Sequence, residues 1–206
     1  TTFKTHPKNV EGLVFENPVT TASAVVNELR DKVDVVVGLT HLGLSEGSKY
    51  TSKMIAEKVP GIDLIIDGHS HHALEKGMMV NQTMIVMAGE YSKFLGYVDL
   101  TVKDGEISKI KANLIPRSET KAVEKDFIIS KVVDRVNKAN KAITSQVVGR
   151  TAVELNGVRA NIRTRETNLG NLITDAMRAK FEADAAITNG GGIRASIDQG
   201  EITQGE

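Results

Sequence analysis

Asp63-Leu64-Ile65-Ile66-Asp67-Gly68-His69-Ser70-His71-His72 is the stretch whose reading decides the fold. Leu64 to Ile66 form a continuous apolar run of the kind that makes a strand buried on both faces. Gly68 allows a sharp turn at the strand's end, which aims His69 and His71 at one spot beyond the sheet edge. The same pattern occurs upstream in Val33-Asp34-Val35-Val36-Val37-Gly38-Leu39-Thr40-His41-Leu42-Gly43, a β-branched strand with a histidine at its end. Ligands of an open α/β sheet sit outside the carboxyl ends of its strands, so two parallel strands bring His41, His69 and His71 to one crevice. Imidazoles gathered there suit zinc, manganese or iron. A histidine at a single strand end is ordinarily a satisfied polar residue; two strand ends, one of them carrying His-x-His, argue for a metal. His72 has the wrong parity for the crevice and His6 is isolated near the terminus, so both read as ordinary polar positions.

Composition narrows the function classes. The 206 residues suit one large domain or parts of two. Acidic and basic residues cancel to a formal net charge of zero, which gives no electrostatic case for a nucleic-acid polymer or an anionic membrane. Aromatic residues make up 4% and Trp is absent, against a base-stacking platform. With no cysteine there are no thiolate metal sites, disulfides or cysteine nucleophiles. No apolar run approaches the roughly 20 residues that span a bilayer. The chain opens Thr1-Thr2-Phe3 and closes Ile202-Thr203-Gln204-Gly205-Glu206, which reads as part of a longer polypeptide.

Along the chain, residues 1–19 read as an extended lead-in with turns at Pro7 and Pro18. Thr20 or Thr21 is expected to cap a helix with Ala22, Val25, Val26 and Leu29 on its apolar face, feeding the strand Val33–Leu39. A polar loop, Leu42 to Gly47, leads to a helix with Tyr50, Met54, Ile55 and Val59 inward, stopped by Pro60-Gly61. The strand Asp63–Asp67 then completes a parallel, right-handed β-loop-α-β unit. Thr83–Met87, Leu95–Val102 and Ile107–Ile115 read as further strands, the last two joined by a hairpin turn at Lys103-Asp104-Gly105-Glu106. Gly89-Glu90-Tyr91-Ser92-Lys93 would line the functional edge if its strand runs parallel to the first two. Pro116 to Lys125 is charged and aperiodic, the best domain boundary. A long helix follows with Ile129, Val132, Val133, Val136 and Ile143 on one stripe and a solvated basic face at Lys138 and Lys141; it reads as a connector. Beyond Gln146 come a strand around Val147–Val153, a loop carrying Arg159, Arg163 and Arg165, and a helix capped by Asn168 with Leu169, Leu172, Ile173, Ala176, Met177 and Phe181 toward a core. A strand Ala185–Thr188 is expected to end in Asn189-Gly190-Gly191-Gly192-Ile193-Arg194. Three glycines let backbone N–H groups approach an anion or a flat ring closely, and Arg194 adds a planar fork for phosphate. A glycine triplet alone equally suits a plain turn; together with Arg159 and Arg163 it points to an anion site.

Four motifs in order, Gly38-Leu39-Thr40-His41-Leu42-Gly43, Asp67-Gly68-His69-Ser70-His71, Arg163-Thr-Arg-Glu-Thr-Asn-Leu-Gly-Asn-Leu172 and Thr188-Asn-Gly-Gly-Gly-Ile-Arg194, resemble the 5'-nucleotidase family of calcineurin-like metallophosphoesterases. That family includes UDP-sugar hydrolases and 2',3'-cyclic-nucleotide phosphodiesterase/3'-nucleotidases, and the resemblance covers nearly the whole chain. It implies an α/β fold: residues 1–116 as the C-terminal half of a metallophosphoesterase sandwich, 117–145 as linker and connecting helix, and 146–206 as the start of an α/β substrate-binding domain. It implies two divalent ions, zinc or manganese foremost, with His41 and His69 matching the histidine ligands of one and His71 a ligand of the other. Arg159, Arg163 and Arg194 match arginines that clamp substrate phosphate; Asn189, Gly191 and Gly192 match the part that receives base and ribose.

The family's opening motifs, which supply a bridging Asp, an Asn ligand and the catalytic His, are not matched ahead of these residues. The expectation is therefore that no catalytic residue lies in this chain, that the rest of its own polypeptide completes the site, and that the chain alone is inactive. The implied activity is hydrolysis of a nucleoside monophosphate to nucleoside and phosphate, with a nucleotide as partner. A 2',3'-cyclic-nucleotide or UDP-sugar hydrolase and a catalytically dead nucleotide-binding module are the alternatives. Gly-His-Ser-His lies closer to 5'-nucleotidases than the Gly-His-Ser-Gln of UDP-sugar hydrolases. The resemblance also implies export to the periplasm, cell wall or cell surface.

Overall fold

The computed structural model describes residues 7–206, and His6 and the start of the lead-in lie outside it. Its contacts divide the chain after Val123 into two compact units, and both combine helices with sheet, the mixed α/β class expected.

The first unit is built on a four-stranded sheet ordered β1 (Val37–Leu39), β2 (Leu64–Ile66), β4 (Thr83–Val86) and β3 (Met78–Val80). β1, β2 and β4 are parallel to one another, and β3 closes the edge antiparallel to β4. Alternate residues of β2 and β4 pack on opposite faces. Ile65 and Ile85, both 0% exposed, join Val26 of α1 (Pro18–Leu29) and Ile55, Ala56 and Val59 at α2 (Ser52–Lys58). Leu64 and Met84 face Ala112, Val98 and Ile110 of the antiparallel hairpin β5 (Phe94–Lys103) and β6 (Glu106–Pro116). Truncating either central isoleucine to alanine would cost about 2–5 kcal/mol.

Two local expectations for this unit are corrected. α1 begins at Pro18 and is capped by Asn17, whose side chain accepts from the Val19 N–H at 2.9 Å; proline preset for the first turn moves the start ahead of Thr20. β1 starts at Val37 rather than Val33, because the Val36 N–H is taken by the Asp63 carboxylate at 2.8 Å. That carboxylate also pairs with Arg30 at 2.6 Å.

The second unit starts with α3 (Phe127–Thr144), capped by Asp126, which accepts from the Ile129 N–H at 2.8 Å. Its stripe of Ile129, Val132, Val133, Val136 and Ile143 is exposed. β7 (Val147–Thr151) pairs antiparallel with β8 (Gly200–Thr203), a four-residue strand that the sequence pattern did not announce. α4 (Arg159–Ile162) and α5 (Asn168–Phe181) lie between them. The cap of α5 is Thr167, accepting from the Gly170 N–H at 3.2 Å, rather than Asn168. Ala185–Thr188 forms no strand: it joins no sheet, and Ile187 is 96% exposed. No helix among the described residues is long and apolar enough to cross a membrane.

Candidate functional site

Three parallel strands deliver their carboxyl ends to one edge. The ladder runs past the strands: the Thr40 N–H donates to the Ile66 carbonyl and the Asp67 N–H to the Val86 carbonyl, both at 2.9 Å. The loops after β1, β2 and β4 therefore leave the sheet side by side. Gly68 is needed where it stands, since a Cβ there would meet the His41 Nδ1 at 2.9 Å. His41 and His69 end edge-to-face with ring centroids 5.3 Å apart. His69 and His71 both hold left-handed backbone, φ 70° and 61°. Such a conformation costs a non-glycine residue on the order of 1 kcal/mol or more and survives only where the surroundings over-determine it.

Asp67, two residues before His69, clasps the neighbouring loop that carries His41. It is 8% exposed and accepts from the Thr40 hydroxyl at 2.9 Å, from the Leu42 N–H at 3.0 Å and from the Gly43 N–H at 3.0 Å. Thr40 also bonds the buried hydroxyl of Ser52 at 2.9 Å. Burial pushes the Asp67 carboxyl up, but hydrogen bonds from Ser52, the Gly68 backbone, Thr40 and the Gly43 backbone outweigh it and leave the group below the usual carboxylate range. Ser70 continues the lacing by accepting from the Leu44 N–H at 3.0 Å and bonding the His72 Nδ1 at 2.8 Å. His72 is exposed and turned to this structural bond. His71 donates from Nδ1 to the Glu90 Oε2 at 2.6 Å, and its ring centroid lies 6.3 Å from that of Tyr91. Glu90 belongs to the loop after β4, which is parallel to β2, so the condition for that loop to line the edge is met.

Among the described residues no three His, Asp or Glu side chains stand together as a metal site. The facing rings of His41 and His69 offer two borderline nitrogen donors that fit a divalent ion as a partial set. Sequence reasoning missed Asp67 as the clasp and gave Glu90 only a lining role. An acid directly before the Gly-His turn was the signal for the first; the second had none beyond its place after a parallel strand.

The second unit assembles part of the anion cluster. Arg159 opens α4 and Arg163 closes it, while Asn189 precedes the glycine turn 190–192. A Cβ on Gly190 would overlap the Ile162 carbonyl, so the glycine turn can pack on the end of α4 only without a side chain there. A Cβ on Gly191 would sit 2.8 Å from the Asn189 Nδ2 and 3.5 Å from the Arg163 Nη2, which places those three residues around one point. Arg194 is exposed past the turn, and Gly192 faces open space. A two-way backbone bridge, Leu155 N–H to Ile197 carbonyl at 2.8 Å and Ile197 N–H to Leu155 carbonyl at 3.0 Å, holds the segments before Arg159 and after Arg194 together. Gly157 donates its N–H to Ser196 at 3.0 Å in the same seam.

Comparison with known proteins identifies relatives along nearly the whole chain. The family model described as 5'-nucleotidase, C-terminal domain, matches residues 147–206. The chain is 38% identical over 206 residues to the trifunctional nucleotide phosphoesterase protein YfkN of Bacillus subtilis, covering 95% of this chain and 14% of that protein. It is 32% identical to the 5'-nucleotidase of Diplobatis ommata, over 91% of this chain and 36% of the relative. The crystal structure of the 5'-nucleotidase precursor from Thermus thermophilus superposes with a TM-score of 0.75 at 32% identity, covering 93% of this chain and 41% of that one. Residues 147–206 belong to the 5'-nucleotidase C-terminal domain family, and the chain is similar to 5'-nucleotidases along nearly its whole length. It spans well under half the length of these relatives.

Proposed function

We propose that these residues form part of the active site of a metal-dependent phosphoester hydrolase that converts nucleoside monophosphates to nucleosides and phosphate. The observation that carries the reading is the convergence of His41 and His69 at the carboxyl edge of the parallel sheet, with His69 held in left-handed backbone. His41, His69 and His71 would hold divalent ions, zinc or manganese, completed by carboxylate, Asn and His groups from elsewhere in the polypeptide. Such ions activate water as a nucleophile and neutralise phosphoryl oxygens. The chain's own share is to fix the imidazoles, through Asp67 and the strained turn, before substrate arrives.

In the second unit, Arg159, Arg163 and Arg194 would grip the phosphate, adding charge-assisted hydrogen bonds. Asn189 and the turn at Gly191-Gly192 would receive the nucleoside. These roles, like the division at 116 and 145 into metal domain, connecting helix and substrate domain, are part of the proposal. A relative named snake venom 5'-nucleotidase, 31% identical over 81% of this chain, supports export of the protein. A broader phosphoester range also has support, since YfkN is named as trifunctional.

The test is hydrolysis of AMP, UDP-glucose and 2',3'-cyclic AMP by the complete gene product, with manganese or zinc supplied and the products separated by chromatography. AMP should be hydrolysed fastest, and His69→Ala should remove the activity while leaving the melting temperature within a few degrees. A gene product that binds nucleotide but hydrolyses none of the three would overturn the hydrolase reading in favour of a binding module.

A further inference from the structure

The geometry points to Glu90 as the residue that positions His71: its carboxylate fixes the imidazole in the Nδ1–H tautomer and sets the ring's direction, so that Nε2 carries the lone pair offered to a metal. The inference deepens the proposed function and rests on His71 being a ligand there.

Several observations converge on Glu90. Its Oε2 accepts from the His71 Nδ1 at 2.6 Å, short even for a charge-assisted bond. Its other oxygen is held separately, by the Lys93 ammonium at 3.1 Å, so the carboxylate cannot swing freely about its own axis. Both side chains are about one-quarter to one-fifth exposed, 26% for His71 and 21% for Glu90, which is more enclosed than an ordinary surface pair.

The two loops are also tied through their backbones. The Gly89 N–H donates to the His72 carbonyl at 2.9 Å and the Leu74 N–H to the Met87 carbonyl at 3.0 Å. On the far side, the Arg117 N–H holds the Lys93 carbonyl at 2.7 Å. Glu90 is followed by two residues in left-handed backbone, Tyr91 and Ser92, both at φ 53°. A pair of non-glycine residues in that region, facing a His71 in the same region, is strain on both sides of one hydrogen bond. An adventitious surface pair has no need of it. The arrangement matches what a ligating imidazole requires, one nitrogen committed to a carboxylate so that the other is fixed in protonation and direction.

The test uses the complete gene product, labelled with nitrogen-15 histidine and freed of metal by chelator. Long-range proton–nitrogen spectra at neutral pH read the tautomer, and competition against a chromophoric chelator reads zinc and manganese affinity. Wild-type His71 should be the Nδ1–H tautomer. Glu90→Ala should release it toward Nε2–H and weaken metal binding about 10–100-fold. Glu90→Gln, which keeps side-chain size and an acceptor oxygen, should retain the tautomer with a smaller loss, and it carries the test if the alanine variant does not fold. Lys93→Ala, which touches Glu90 but not His71, should leave the tautomer unchanged.

An unchanged tautomer in Glu90→Ala overturns the inference, and so does unchanged zinc and manganese affinity in Glu90→Gln. A changed tautomer with unchanged metal affinity overturns it too, because the bond would then be structural only. If wild-type protein shows the Nδ1–H tautomer yet binds no metal, the reading of the histidines as ligands fails, and the inference falls with it.

Discussion

Replacing Asp67 with Asn changes one atom of the carboxylate that clasps the His41 loop. In the native arrangement Oδ1 accepts from the Thr40 hydroxyl and the Leu42 N–H, and Oδ2 accepts from the Gly43 N–H. Asn can keep an oxygen at the first position only by turning its NH2 toward the Gly43 N–H, a donor facing a donor. One hydrogen bond to a charged group is lost outright, worth about 1.5–3 kcal/mol, and the others lose their charge assistance. Thr40 keeps Ser52 as an alternative partner, which limits the damage on that side. The sum is roughly 2–3 kcal/mol of local stability. It should appear as faster amide exchange at Leu42 and Gly43, by roughly 30–150-fold at 1.4 kcal/mol per tenfold. Exchange at the centre of β2, at Ile65, should move much less. Hydrogen exchange with fragment-resolved mass spectrometry on the chelator-treated protein reads both regions in one experiment. If Leu42 and Gly43 exchange at the wild-type rate in Asp67→Asn, the clasp is not what holds His41 against His69, and the argument for a preorganised half-site collapses.

The same carboxylate predicts an acid response. Its folded pKa lies below the ordinary value, so the unfolded chain binds more protons and the stabilisation is complete above about pH 4. It is lost as pH falls through the depressed folded value; an acid titration of loop protection should show that fall in wild type and not in Asp67→Asn. In the second unit, Gly190→Ala and Gly192→Ala form a matched pair. The first drives a Cβ into the Ile162 carbonyl and should destabilise the unit by about 1–3 kcal/mol or more. The second meets nothing within 4 Å and should stay within about 0.5 kcal/mol. Calorimetric melting that ranks them equally would mean the glycine turn does not pack on α4.

Periodicity carried the fold where burial is local. The run Leu64–Ile66 made a strand buried on both faces at Leu64 and Ile65, covered by helices on one side and the β5–β6 hairpin on the other, while Ile66 at its end is 42% exposed. α5, Asn168–Phe181, was legible from its apolar spacing, with its cap one residue earlier than the Asn168 the sequence suggests. Elements that exist only through a distant partner were not legible. β3 and β8 are short strands that owe their form to pairing with β4 and β7. The reverse error arose at Ala185–Thr188, whose composition suits a strand but which no neighbouring strand pairs.

The site divides in the same way. Histidines at strand ends can be read from sequence because their chemistry is visible in the residue type and their placement follows from two parallel strands. What fixes them cannot. Asp67 bonds backbone amides 24 and 25 residues upstream, and Glu90 reaches back 19 residues to His71. Neither bond leaves a periodic trace, because a hydrogen bond from a side chain to a distant loop obeys no spacing rule. Each nevertheless follows from one physical demand. Imidazoles that are to serve a metal must be held in direction and tautomer before the metal arrives, and a turn with two left-handed histidines would otherwise relax. Glu90 meets that demand at His71, and Asp67 meets it at the neighbouring loop that carries His41. Under the proposed function, the residue types supply the nitrogen atoms and the two carboxylates supply their fixed direction.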